Sequence, residues 1–123
     1  MTEITLVKTL TLFLTTTPFA FENTHTAIQL ARAALDKGYA VNVFASADGV
    51  YNFTRDQNPK GLPNAGKEFA ELIARGLHVE LCGTCLNFRG IGADDFLPGS
   101  EPSSMKRLFG LMKSSDVFIT LGS

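Results

Sequence analysis

Short runs of β-branched and apolar residues alternate along this chain with longer stretches whose apolar positions recur three and four residues apart. Residues 4–14 are rich in Thr, Val, Ile, Leu and Phe, side chains that fit a pleated, half-buried surface, and they predict a first strand. Apolar positions alternate with Thr there, so one face of that strand is expected to be less deeply buried. Pro18 interrupts the pattern inside "TTTPFAFEN" and marks a loop. Asn23 or Thr24 is then placed to cap a helix carrying Ala27, Leu30, Ala31, Ala34 and Leu35 on one face, with Gly38 as its stop. "AVNVFAS" (40–46) reads as the second strand and "ADGVYNFTRDQNPKGLPN" as a long polar loop.

The same two periods continue to the C-terminus. A second helix is predicted from about residue 64 to 75, with Ala65, Phe69, Leu72 and Ile73 on one face and Gly76 ending it. "LHVELC" (77–82) is the third strand, and residues 84–89 form a short helix closed by Gly90. "ADDFLPGSEP" places a short fourth strand near Phe96–Leu97, between Pro and Gly residues that work against it. Ser103 or Ser104 caps a helix with Met105, Leu108, Phe109 and Met112 in register, and "DVFITLG" (116–122) is the last strand. Strands alternating with helices give βαβ units, hence an α/β fold with a mostly parallel sheet covered by helices. In such a sheet the site lies beyond the carboxyl ends of the strands. Three loops should meet there: Thr15–Asn23, Ala47–Asn64 and Cys82–Cys85.

Length and charge narrow the class. At 123 residues the chain is long enough for a core and too short for two, so residues 1–123 are read as a single domain. A net charge of −1 without a Lys/Arg cluster argues against nucleic acid or an anionic membrane as partner. The mean hydropathy of +0.11 points toward apolar surface buried in an oligomer. "MTEITLVKTLTLFLTTTPF" lacks the basic start and small-residue cleavage site of a signal peptide, and falls short of the roughly 20 apolar residues of a spanning helix. The expected compartment is therefore the reducing cytoplasm, where two cysteines three apart are reactive or metal-binding more often than a structural staple.

Cys82 ends the third strand and Cys85 falls in the first turn of the next helix. Unpaired backbone N–H groups favour a thiolate there, and only the thiolate is a good nucleophile or sulfur carrier. Gly83 allows close backbone approach, and the backbone of Gly83 and Thr84 is placed to bind an anionic sulfur. Arg89, one turn beyond Cys85, adds positive charge, or else fixes the helix end or a subunit contact.

Blander readings compete. The cysteines can be two small buried hydrophobes. Structural zinc takes four N/S ligands, and the only other soft candidates are His25, read as a surface residue near the first helix cap, and His78, read as an inert neighbour of a solvent-type Glu80; no metal is expected. A thioredoxin-like enzyme would carry its Cys-x-x-Cys after an early strand, and here it follows the third. No Walker loop, "GxGxxG" or "GxSxG" is present. Asp94, Asp95 and Glu101 read as a solvated polar loop before acid–base catalysts, and Tyr51 and Phe53, beside Arg55, as anchors to a neighbouring subunit before a lid over the thiols.

Taken in order, "TTTPFAFENTHTAIQLARAAL", "VFASADGV", "LCGTCLNFRGI" and "EPSSMKRLFGLMKSSDVFITLGS" resemble the DsrE/DsrF-like (TusD-related) sulfur-relay family over almost the whole chain. The resemblance implies a flavodoxin-like three-layer sandwich with a five-stranded parallel sheet, and assembly into homotrimers or homohexamers. It implies that a cysteine at the end of the third strand, by position Cys82, accepts sulfur as a persulfide and passes it on. Cys85 departs from that pattern, as either a resolving or an assisting thiol. The leading expectation is a sulfur carrier or sulfurtransferase without organic cofactor, partnered by sulfur-donor and sulfur-acceptor proteins. A thiol–disulfide oxidoreductase or redox sensor, and a non-catalytic binding module, are the alternatives.

Overall fold

The computed structural model describes residues 8–19 and 22–122. The elements run β1 (Thr9–Leu14), α1 (Asn23–Asp36), β2 (Ala40–Ala45), a 3₁₀ helix (Ala47–Phe53), α2 (Ala65–Ala74), β3 (His78–Cys82), α3 (Gly83–Phe88), β4 (Ser100–Ser103), α4 (Met105–Ser114) and β5 (Val117–Leu121). The five strands form one sheet in the order β4-β3-β2-β1-β5, and every pairing is parallel. Residues 4–7 of the predicted first strand lie outside the described residues.

The period of two in each strand sorts its side chains between two unequal layers. Leu12, Leu14, Val41, Val43, Ala45, Val79 and Leu81 face the core built with Ala27, Ile28 and Ala31 of α1 and Phe69 and Leu72 of α2, all buried. An Arg32–Glu68 ion pair at 3.7 Å ties the two helices together at the surface. The opposite face holds Phe44 and Cys82, covered by Leu108 of α4, with Phe13, Cys85, Leu111 and Phe118 partly buried around them. There the expected contrast in β1 takes an unexpected form: Thr11 is fully buried, bonded to Asn42 and Ser115.

Three boundaries differ from the sequence pattern for identifiable reasons. Glu22 occupies the N-cap of α1 without a side-chain hydrogen bond, because Asn23 donates to Thr16 Oγ1 at 3.2 Å and Thr24 donates to Asn52. The start of the supposed polar loop is the 3₁₀ helix, held by buried Val50, Asn52 and Phe53. Gly49 must be glycine there, since a Cβ would lie 2.1 Å from the Leu14 carbonyl oxygen. The fourth strand is Ser100–Ser103, while Phe96 makes only an isolated antiparallel bridge to Thr54. Finally, the apolar stripe of α4 is not core: only Leu108 is buried, and Met105, Phe109 and Met112 are 49%, 60% and 42% exposed.

Candidate functional site

The cysteines occupy the carboxyl edge of the sheet. Cys82 is the last residue of β3 and the N-cap of α3, buried at 7% exposure beside Phe44 and Leu108. The chain turns straight into α3 at Gly83, where a Cβ would stand 3.2 Å from the Ser103 carbonyl oxygen of β4. That turn brings Cys85 back beside Cys82, and the two residues pack in one apolar cluster with Phe44 and Leu108.

The expected convergence of loops is realised. The backbone N–H of Ala47 donates to the Cys85 sulfur at 3.2 Å, and Ser46 Oγ lies 3.6 Å from it. Ala47 has a left-handed backbone, φ 51°, an uncommon and costly conformation for a non-glycine residue that recurs at functional sites. Asn52 holds this turn in place by donating to the carbonyls of Thr16 at 2.9 Å and Gly49 at 2.8 Å. α3 has only six residues, and the hydrogen bonds at the Cys85 sulfur come from Ser46 and Ala47 rather than from Gly83 or Thr84.

Arg89 projects from the end of α3 onto the same turn. Its Nε and Nη2 donate to Asp48 Oδ1 at 3.0 and 2.8 Å, and its Nη1 donates to the Cys85 carbonyl at 3.2 Å. The guanidinium carbon sits 6.0 Å from the centre of the Tyr51 ring, within cation–π range. The Asp48 hydrogen bond outweighs the small cost of burial and raises the Arg89 pKa, so its charge is permanent.

These contacts make the two thiols unequal. Burial alone would push the Cys85 thiol up, but hydrogen bonds from Cys82, Ser46 and the Ala47 N–H, with the Arg89 charge, together bring it below the ordinary value. Burial, reinforced by the hydrogen bond and charge of Cys85, pushes Cys82 up. Cys85 is thus the thiol that ionises first and Cys82 the one that stays protonated. Ser46, Ala47 and Asp48 were not singled out from sequence; their only signal was a position immediately after a strand, within "VFASADGV".

Other candidates go elsewhere. Glu80 is a buried residue, not a solvent-type one, and lies on the Cys82 face of β3. It accepts from Ser103 and Arg107, and its Oε2 is 2.7 Å from His78 Nε2. His78, Glu80 and Glu101 gather ligand-type atoms within 4.8 Å of one another. The positive charge in that cluster is supplied by Arg107, whose Nη2 is 3.2 Å from Glu101 Oε1. Asp95 caps a loop through the Gly92 N–H, and Arg55 donates to the Phe96 carbonyl. Phe53 is neither a lid nor a subunit anchor: it is buried, 4.4 Å from the Phe69 ring centre. His25 is exposed and lines a cavity of about 300 Å³ with Phe19, Leu62 and Pro63, to which neither cysteine contributes.

A model of the DsrE/DsrF-like family matches residues 8–121. The chain belongs to the DsrE/DsrF-like family. It is 33% identical over 110 residues to the uncharacterized protein MJ0989 of Methanocaldococcus jannaschii, covering 89% of this chain and 96% of that protein. MK0008 of Methanopyrus kandleri, also uncharacterized, is 33% identical over 110 residues, covering 89% of this chain and 91% of its own. In three dimensions the DsrE/DsrF-like chain is similar to the ychN protein of E. coli, with a TM-score of 0.84 at 24% identity over 94% of this chain and 99% of the other. MTH1491 of Methanobacterium thermoautotrophicum gives 0.77 at 17% identity, covering 92% and 98%. These structural likenesses speak to the fold. Among the described residues, no helix is long and apolar enough to cross a membrane.

Proposed function

We propose that this DsrE/DsrF-like protein is a cytoplasmic sulfur carrier that takes up sulfane sulfur as a cysteine persulfide and passes it to an acceptor protein. The observation that carries this reading is the Ala47 N–H and Ser46 hydroxyl converging on the Cys85 sulfur, which supports a thiolate in a half-buried, reachable place. Position in the family pattern favoured Cys82 as the carrier; the hydrogen bonds favour Cys85, with Cys82 as its proton-holding partner. Arg89 adds the charge that attracts an anionic persulfide. The exposed apolar stripe of α4 supports self-association, so the partners are second copies of the chain together with a donor and an acceptor.

The unequal thiols also support a second reading, a thiol–disulfide oxidoreductase, because such dithiols divide into one acidic and one protonated sulfur. Intact-mass spectrometry after reaction with a persulfidated sulfurtransferase separates the two. Sulfur gained by Cys82→Ser and absent in Cys85→Ser supports the carrier with Cys85 as its nucleophile. Gain only in Cys85→Ser moves the persulfide to Cys82. Oxidation of wild type without sulfur on any variant abandons the carrier for the redox enzyme.

A further inference from the structure

Resting on the sulfur-carrier reading, we infer that this protein also reduces sulfane sulfur to sulfide, with Cys82 resolving the Cys85 persulfide into a Cys82–Cys85 disulfide. A one-thiol carrier has no further sulfur of its own with which to release its cargo as sulfide. Here a second thiol packs in the same apolar cluster as the first, on the side away from solvent. Cys82 is buried beneath Leu108, whereas Cys85 is half-exposed. Donor sulfur therefore reaches Cys85 from solvent, and Cys82 faces the inner sulfur from the protein side, the approach that displaces the outer one.

Both steps balance. In uptake the Cys85 thiolate attacks the outer sulfur of a donor persulfide, R–S–S⁻; the Cys85–sulfur bond forms, the donor S–S bond breaks, and R–S⁻ leaves. In resolution the Cys82 sulfur attacks the inner sulfur of Cys85–S–S⁻. The Cys82–Cys85 bond forms, the bond to the outer sulfur breaks, and that sulfur leaves as HS⁻ carrying the Cys82 proton. The sulfane atom gains two electrons, and the two cysteine sulfurs lose them. The Cys82 proton passes to the outer persulfide sulfur, which makes Cys82 a thiolate and the departing atom HS⁻, so no external base is needed. A dithiol, small or protein-borne, returns the enzyme to its starting state.

Proximity decides between the two outlets. A thiol held in contact acts at an effective concentration of about millimolar or more, above that of most acceptor proteins, so resolution competes with onward transfer whenever no acceptor is docked. The divided acidity of the pair suits these roles, since the attacking thiolate and the proton-bearing resolver are already assigned.

The test is a single turnover without reductant. Reduced protein is mixed with a persulfidated sulfurtransferase freed of small molecules, and sulfide and intact mass are read together. Wild type is expected to release about one sulfide per sulfur taken up and to lose two hydrogens. Cys82→Ser, with Cys82→Ala as a second variant should the serine misfold, is expected to keep the added sulfur and release none. Wild type that retains the sulfur without releasing sulfide, while either Cys82 variant also takes it up, overturns the reductase and leaves the carrier standing. No uptake by wild type or by folded Cys82 variants overturns both.

Discussion

The Ala47 backbone N–H and the Cys85 sulfur, 38 positions apart in the chain, meet at 3.2 Å. Because the donor is backbone, no side-chain substitution removes it directly, but its neighbour Ser46 is separable. Ser46→Ala deletes the hydroxyl 3.6 Å from the sulfur and leaves the N–H in place. One hydrogen bond to a charged group contributes about 1.5–3 kcal/mol, so part of that is expected as a rise of the Cys85 thiol pKa by up to about one unit. The pH profile of iodoacetamide labelling, read in a Cys82→Ser background with and without Ser46→Ala, measures it. An unchanged profile would remove Ser46 from the site.

Arg89 acts on the same sulfur by charge. In Arg89→Met the apolar stem is kept while the cation is lost, and Asp48 is left without its partner. Labelling of Cys85 at neutral pH is expected to slow several-fold and to become less sensitive to salt, because partly exposed charges are screened. Arg89→Lys should restore part of the rate, as a point charge that cannot reproduce the forked contact with Asp48 and the Cys85 carbonyl. Full activity in Arg89→Met would reduce the residue to a helix-end fastener.

How much of this was legible in sequence follows from which forces are local. Strand and helix identities came from periodicity, and Gly76 and Gly90 marked helix ends with φ values of 111° and 66°. The candidate cysteine pair was legible because both sulfurs lie within four residues at a strand-to-helix turn. The other half of the candidate site was not, because Ser46 and Ala47 reach Cys85 only through the parallel pairing of β2 with β3. Glu80 was misread for a related reason. Its burial is set by Ser103 of β4 and Arg107 of α4, partners more than twenty positions away that leave no pattern around residue 80. The α4 stripe was visible as helical spacing, which reports an apolar face and is silent about what that face meets.

Glu80 gives the fold an acid-sensitive element. Burial would raise its pKa, but Ser103, His78 and Arg107 together hold it below the usual carboxylate value. A depressed folded-state pKa contributes stability that is present above the unfolded value, about 4.3, and is lost as pH falls through the lower folded value. Urea midpoints are therefore expected to fall below about pH 4 in wild type. Glu80→Gln should be less stable at neutral pH by about 1–3 kcal/mol, since it weakens the charge-assisted hydrogen bonds from Ser103, His78 and Arg107, and its midpoint should change less with acid. Parallel acid profiles for the two proteins would assign the sensitivity to another carboxylate.

The face left open by α4 leads to the last expectation. Met105, Phe109 and Met112 lie at i, i+4 and i+7 on one side of the helix and are all exposed, with Val117 of the edge strand β5 half exposed as well. A parallel sheet is stable when both faces are covered, yet here the second face has Leu108 as the only buried residue of its covering helix. On the proposed self-association a second copy would supply the missing apolar surface, and Phe109→Glu should prevent it by placing a charge in the interface, at little cost to the folded chain because residue 109 is 60% exposed. Sedimentation velocity is expected to show an assembly for wild type and a folded monomer for the variant. Since Cys82 lies under the same helix, the variant should also label faster at Cys82 than wild type, with Cys85 unchanged. A wild-type monomer at micromolar concentration would sink the self-association reading and leave the stripe to another partner.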